Sequence, residues 1–462
     1  MTVPRDLLLA SLREAVLTLL AALATMAGAL LLDPEPAPAV LAVVLALSLW
    51  RSHLDRNLRE RIEAAVGLPL IALGALGIGL LLKHWPWIGA AAFTAAMSGA
   101  IWLRRFGPQG RKLGTLIALP CLVLLVVPHV HASHVGPAMQ VALPILVALL
   151  ALVSVGICHA LGRWLGWLAA LEPVSEPAAP AAPARGAPLP ASTRMAVQMA
   201  VALGVAFALG YLCFARHWAW LVLTAYIVGS GNQGRLDVAY KSVLRVLGAA
   251  AGTVIALGVA QAVAASGTPG AGAAALILLA VFLGLWLRPL SYAWWALFVT
   301  IALALLQGFD GGAPQALLMA RLTEIVIGAL IGVAAAWFVL PVRSTDVLRR
   351  RMADALAALA EAADPATTER SPRTFLARLQ GVHKVGGAFR ASRWLTRRWR
   401  QPHPADWVDE LLACREPAVA MIERGEAPGA VRKAIGAARK ALREPAQIGP
   451  ALAELRAVLT RA

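Results

Sequence analysis

Charge is what this sequence has least of. Asp, Glu, Lys and Arg make up only 15% of its 462 residues, hydrophobic residues make up 59%, and the mean hydropathy is +0.70. Soluble domains carry about 25% charged residues, so a secreted enzyme, a disordered chain and a soluble oxidoreductase are all poor fits. Acid is scarcer than base: 25 Asp+Glu stand against 42 Lys+Arg, a formal charge of +17. Such an excess can mark a nucleic-acid binder, but basic residues confined to one side of a bilayer give the same total. Only four cysteines occur (Cys121, Cys158, Cys213, Cys414), none in a CxxC pair, which argues against a disulfide framework or a zinc site. GxSxG, HExxH and Walker A motifs are absent as well. The expectation is an integral membrane protein that is not an enzyme, has no cofactor or dedicated metal, binds no nucleic acid and is not powered by ATP held on this chain.

What the chain does have is long apolar runs. A bilayer core of ~30 Å needs roughly 20 apolar helical residues to cross. Twelve such stretches precede Pro341: 9–32, 38–50, 64–82, 86–103, 113–128, 138–161, 195–215, 218–230, 245–264, 272–287, 292–308 and 322–340. The second and eighth are short for a full span. Every second loop is basic: Arg51, Arg56, Arg59 and Arg61; Arg104, Arg105, Arg111 and Lys112; Arg163, Arg185 and Arg194; then Arg235, Lys241 and Arg245. The alternate loops are nearly bare, so the positive-inside rule puts both termini in the cytoplasm. Residues 172–193 form a Pro/Ala linker, an extended spacer that cannot bury a core. Residues 342–462 hold 22 Lys/Arg and 13 Asp/Glu, with helical apolar spacing at 347–363 and 430–459. That composition predicts a soluble helical cytoplasmic domain, whose Arg349–Arg351 cluster would meet anionic lipid headgroups.

The two apolar halves resemble each other. A shift of 184 positions sets Arg51 on Arg235, Arg61 on Arg245, Ile71–Gly74 on Ile255–Gly258, and Trp102-Leu103-Arg104 on Trp286-Leu287-Arg288. Leu and Ala coincide often by chance, whereas Trp and Arg at helix ends do not. The predicted fold is therefore an all-α membrane protein of about twelve transmembrane helices in two tandem six-helix repeats (1–171 and 194–341), plus the C-terminal helical domain. An even number of spans per copy gives both copies the same orientation and a pseudo-two-fold axis along the membrane normal.

Several motifs carry possible chemistry beside plainer explanations. Gly229-Ser230-Gly231-Asn232-Gln233-Gly234 spells GxGxxG, but it ends a membrane helix and lacks the buried strand of a dinucleotide site. A better use is a helix break whose free N–H groups face an anion. Gly248 with Gly252, and Gly328 with Gly332, are small residues four apart, which let helices approach closely in lipid. Packing explains these glycines but not the neighbouring charges. Arg321 and Glu324 stand one turn apart at the start of the last span. They read either as an interfacial ion pair or as a titratable carboxylate beside a substrate-binding arginine. His129, His131 and His134 lack a carboxylate neighbour and read as a bare loop. His217-Trp218-Ala-Trp220 and His84-Trp85-Pro-Trp87 lie at outer membrane edges, where aromatics anchor helices.

Residues 194–341 resemble the fusaric-acid-resistance (FUSC) domain of the aromatic acid exporter family. The likeness is carried by the His217-Trp218-Ala-Trp220 helix start, the run GSGNQGRLDVAYKSVLRVLGAAAG, then WLRPLSYAWWALFVT and ARLTEIVIGALIGVAAAWFVLP. The resemblance implies a proton-driven inner-membrane exporter of small aromatic or other organic acid anions. It also brings in a homodimer and a periplasmic adaptor protein as partners, beside the membrane lipids. Within it, Arg235, Lys241, Arg245, Arg321, Asn232 and Gln233 are the candidate substrate-binding residues, and Glu324 and Asp237 the candidate proton carriers. Basic residues at the inner mouth would concentrate anions there. A passive organic-anion channel and a membrane scaffold recruiting a cytoplasmic partner are the two alternatives from other classes.

Overall fold

A computed structural model describes residues 5–52, 58–126, 137–168, 189–214, 218–231, 233–266, 271–307, 314–364, 371–396, 403–426 and 428–461. The described residues form helices and no strands. Twelve α-helices precede Pro341 among them: α1 (Arg5–Leu32), α2 (Pro36–Ser52), α3 (Leu58–His84), α4 (Pro86–Trp102), α5 (Gly107–Val126), α6 (Pro137–Trp164), α7 (Ala191–Cys213), α8 (Trp218–Gly229), α9 (Arg235–Ser266), α10 (Ala271–Leu287), α11 (Tyr292–Gln307) and α12 (Pro314–Phe338). Proline opens α2, α4, α6 and α12, where its fixed φ suits the first turn and its missing N–H would have had no partner. Pro69, Pro120 and Pro144 sit inside helices, which membrane helices tolerate when neighbours satisfy the freed carbonyl.

Each apolar stretch read from the sequence falls on one of these helices. Among the described residues, seven helices are long and apolar enough to cross a membrane, and α2, α8, α10 and α11 supply shorter apolar segments. The largest departure is at α9. The basic stretch 235–245, expected as a loop, is the first three turns of a 32-residue helix. Gly231 and Gly234 make the turn before it, with φ of +61° and +107° that other residues rarely adopt. The Pro/Ala linker lies outside the described residues except for 189–193, of which Ala191–Thr193 begin α7.

The chain divides into two units, 1–230 with 241–340, and 231–240 with 341–462. In the first, one core cluster gathers Leu17, Ala21 and Ala22 of α1 with Leu45, Ala46 and Leu49 of α2 and Val147, Ala148 and Ala151 of α6. A second joins Phe93 and Met97 of α4 to Leu203 and Phe207 of α7 and Trp220 and Leu221 of α8. Phe93 and Phe207 meet edge to face with centroids 5.5 Å apart, an arrangement that aromatic quadrupoles favour. On another side α1 packs on α10: Ser11 Oγ donates to the Trp286 carbonyl at 2.6 Å, and Trp286 Nε1 donates to that of Leu8 at 3.2 Å. At the end of α12, Leu340 has φ +43°, which costs a non-glycine residue about 1–2 kcal/mol. The Gln198 amide of α7 stabilises that end by donating to the carbonyls of Val339 (2.9 Å) and Leu340 (3.1 Å).

The second unit holds α13 (Ser344–Ala362), α14 (Arg373–Thr396), α15 (Pro404–Ala413), α16 (Arg415–Glu423), α17 (Gly429–Ala441) and α18 (Pro445–Arg461) around one apolar core with Leu348, Leu356, Phe375, Val408 and Leu455 at its centre. The segment 430–459, read as one helical stretch, is two helices separated before Pro445. Residues 231–240 join this unit, which the sequence had placed after Pro341 alone. The Arg235 N–H donates to the Val342 carbonyl at 3.1 Å, and the Leu236 N–H to Ser344 Oγ at 2.9 Å.

Candidate functional site

Three ionisable residues that a membrane interior should exclude are buried in the first unit. Arg245, on the third turn of α9, is 2% exposed; Arg321 and Glu324, one turn apart on α12, are 4% and 0% exposed. Arg245 and Glu324 both act electrostatically on Arg321, so the three form one grouping contributed by two helices. A charged residue at a membrane helix centre costs about 2.5–3.5 kcal/mol on insertion scales. Three of them together call for a reason beyond packing.

The fourth member is aromatic. Arg321 Cζ lies 3.6 Å from the centroid of the Trp220 ring on α8, well within the ~6 Å of a cation–π contact. Trp220 is therefore not the lipid-facing anchor its position suggested, being only 5% exposed. Trp85 and Trp87, in the echoing motif, are 62% and 57% exposed and keep the character of edge residues. One turn after Trp220, Thr224 is fully buried, and its hydroxyl has no hydrogen-bond partner among the described residues; the same holds for Nε of Arg245.

Glycine sets the spacing that brings these helices together. A Cβ at Gly328 would lie 2.6 Å from the Leu221 carbonyl oxygen and 3.0 Å from Thr224 Cβ, and one at Gly332 would lie 3.0 Å from Val228 Cγ1. The backbone of α12 thus rides directly on α8. A Cβ at Gly248 would lie 2.5 Å from the Ala293 carbonyl oxygen, and one at Gly252 would lie 2.5 Å from that of Leu297. These contacts put α9 on α11 in the same manner. Close approach of this kind supplies the dispersion energy that holds helices together in lipid.

The other candidates are placed elsewhere. Lys241 is half-buried on the first part of α9. Gln233, Arg235 and Asp237 group with the second unit. Asp237 is buried and accepts the Gln233 N–H on Oδ2 at 2.9 Å. At this helix break the Gln233, Arg235 and Leu236 amides are bonded to Asp237, Val342 and Ser344. Asn232, His217 and the three loop histidines lie outside the described residues. Among those described, no group of three or more metal-ligating side chains occurs.

Trp220 and Thr224 are the members that motif reading missed. A signal for them existed in the 184-residue shift, which sets Trp220 on Pro36, Thr224 on Val40, Arg321 on Pro137 and Glu324 on Gln140. Apart from Arg245, which falls on Arg61, the residues that converge are those that differ in chemistry between the halves.

Apolar helices of bilayer length around a buried charged grouping define a multi-pass helical membrane protein. Residues 199–335, which contain every member of the grouping, match the fusaric acid resistance protein-like family. No curated protein and no solved structure matches the chain.

Proposed function

We propose that the chain exports small aromatic or other organic acid anions across the bacterial inner membrane, coupled to the proton gradient, with both termini in the cytoplasm. The observation that carries this reading is the burial of Arg245, Arg321 and Glu324, with Arg321 lying over the Trp220 ring. Two guanidinium groups against one carboxylate leave one positive charge, which a single monovalent carboxylate neutralises. The indole beside Arg321 offers a flat apolar surface next to that charge, which suits an aromatic acid better than an aliphatic one. Glu324 is the proton carrier: ionised it competes for Arg321, and protonated it leaves that arginine to the substrate.

The proposal includes two tandem six-helix repeats, and reciprocal packing supports them. The 184-residue shift carries α1 onto α7 and α4 onto α10. The pairs α4–α7 and α1–α10 are both in contact, as a two-fold exchange of the halves requires. The pathway would then lie at or near the interface between repeats. A homodimer and a periplasmic adaptor remain part of the proposal through the family likeness.

A passive anion pathway is the second reading, favoured by the same excess positive charge. An anion can neutralise the grouping while Glu324 stays ionised, so the membrane potential alone could expel it. Full-length protein in liposomes, loaded with a radiolabelled aromatic carboxylate, separates the two. Flux that follows an imposed pH gradient at carrier rates supports the exporter, whereas sustained current without a gradient supports the channel. If Arg245→Ala and Arg321→Ala proteins transport as well as wild type, both readings fail.

A further inference from the structure

The second unit, among its described residues, closes its core around its large apolar side chains except at one helix tip. Among its described residues, Trp394 and Leu395 are the only large apolar side chains in the open, at 83% and 70% exposure. They are neighbours in the last turn of α14, and successive helix positions point about 100° apart. Together they make an apolar wedge at the helix tip rather than a stripe that a packing helix would cover. The wedge has no acid beside it on its own helix: α14 carries Arg373, Arg378, Lys384, Arg390 and Arg393 and no Asp or Glu. Two carboxylates of α15 are engaged with arginines of this helix: Arg390 pairs with Asp409 at 2.8 Å and Arg393 with Asp406 at 2.6 Å and Asp409 at 2.9 Å. The whole segment from 342 onward holds 22 basic against 13 acidic residues.

We propose that this tip is a lipid-docking site, with Trp394 and Leu395 seated at the headgroup level of an anionic leaflet. Indole rings favour that boundary, where the ring is half dehydrated and its N–H still meets polar groups. Arg390 and Arg393 are balanced by their aspartates, so the attraction to an anionic surface comes from the segment's excess of 22 basic over 13 acidic residues. A protein partner of matching chemistry would have to present both acid and an apolar socket. The bilayer offers both to every copy of a membrane-embedded chain.

The test uses full-length protein in lipid nanodiscs. Cys213 is the exposed cysteine among the four, so a Cys213→Ser background leaves a labelling site free. Leu395→Cys carries an environment-sensitive fluorophore, and Lys433→Cys, exposed on α17, is the control. All three positions are exposed, so folding is not at stake. In discs containing phosphatidylglycerol, the Leu395→Cys probe should shift to the blue and be quenched roughly twofold or more by lipids spin-labelled near the headgroup, with the control unchanged. In discs of phosphatidylcholine alone, the shift should be largely lost. A probe that stays water-like in anionic discs overturns the proposal. So does one that responds equally in both lipids, or one whose shift follows the number of protein copies per disc, which would assign the tip to another copy of the chain.

Discussion

Helix α9 carries glycines of opposite character, and substituting them one at a time tests the close approach of α9 to α11. At Gly248 a Cβ would sit 2.5 Å from the Ala293 oxygen and 2.8 Å from Ala296 Cβ. Carbon and carbonyl oxygen rest at about 3.3–3.6 Å, so α11 must retreat by nearly an ångström. Both opposing atoms belong to backbone or to a Cβ, and neither can swing aside. Overpacking of this kind costs about 1–3 kcal/mol. Alanine also gains about 1 kcal/mol over glycine in a helix interior, so Gly248→Ala should come out about 1 kcal/mol less stable. Gly258, on the same helix, has nothing within 4 Å of its Cβ position. There only the propensity gain applies, and Gly258→Ala should be neutral to about 1 kcal/mol more stable. Thermal unfolding of the purified proteins in one detergent compares them, with Gly248→Ala melting below wild type and Gly258→Ala at or above it. Equal melting temperatures for the two variants would refute the contact.

The other predictions concern charge, conformation and reactivity. Arg321→Ala alone should destabilise by about 3 kcal/mol because it strands the Glu324 carboxylate. The Arg321→Ala/Glu324→Ala double variant should recover much of that loss in the same melt, and simple additivity would deny the pairing. Glu324→Gln should transport with a flattened pH dependence, and an unchanged profile removes its proton role. Gly234→Ala should cost about 1–2 kcal/mol, since φ is +107° and the new Cβ meets Ser344 Oγ at 2.8 Å; wild-type melting would contradict it. Burial pushes the Cys414 thiol up to about 12. The reactive thiolate is then scarce at neutral pH and the thiol is buried, so maleimide should label exposed Cys213 and spare Cys414 until the protein unfolds. Mass spectrometry of the labelled native protein reads this directly.

The helices were legible because a bilayer imposes a length on every apolar run, and that length survives without an alignment. The start of α9 was not. Arg235, Lys241 and Arg245 look like a solvated loop by composition, yet a turn built on Gly231 and Gly234 launches a helix straight through them. Arg245 therefore moved from an expected inner mouth to the buried interior. Charge identity shows that a residue is expensive to bury, but only packing shows whether it has been buried. Trp220 failed for the mirror reason. An indole at the end of an apolar run normally faces headgroups, and nothing in its own sequence neighbourhood announced that Arg321, a hundred positions later, would cover its ring. The glycine pairs were readable as close-approach positions, because a missing side chain four residues apart on one face has few other uses in lipid.

The placement of two ionisable groups on α12 has a consequence for how the protein is made. A nascent segment bearing Arg321 and Glu324 meets hydrocarbon as a poor candidate for insertion, with each charge opposing entry by up to about 3 kcal/mol when alone. Its receiving surfaces, the Trp220 ring on α8 and the field of Arg245 on α9, are synthesised well before it. Chain order thus fixes an order of assembly, in which the earlier helices wait in the membrane as a template and the last one enters against them.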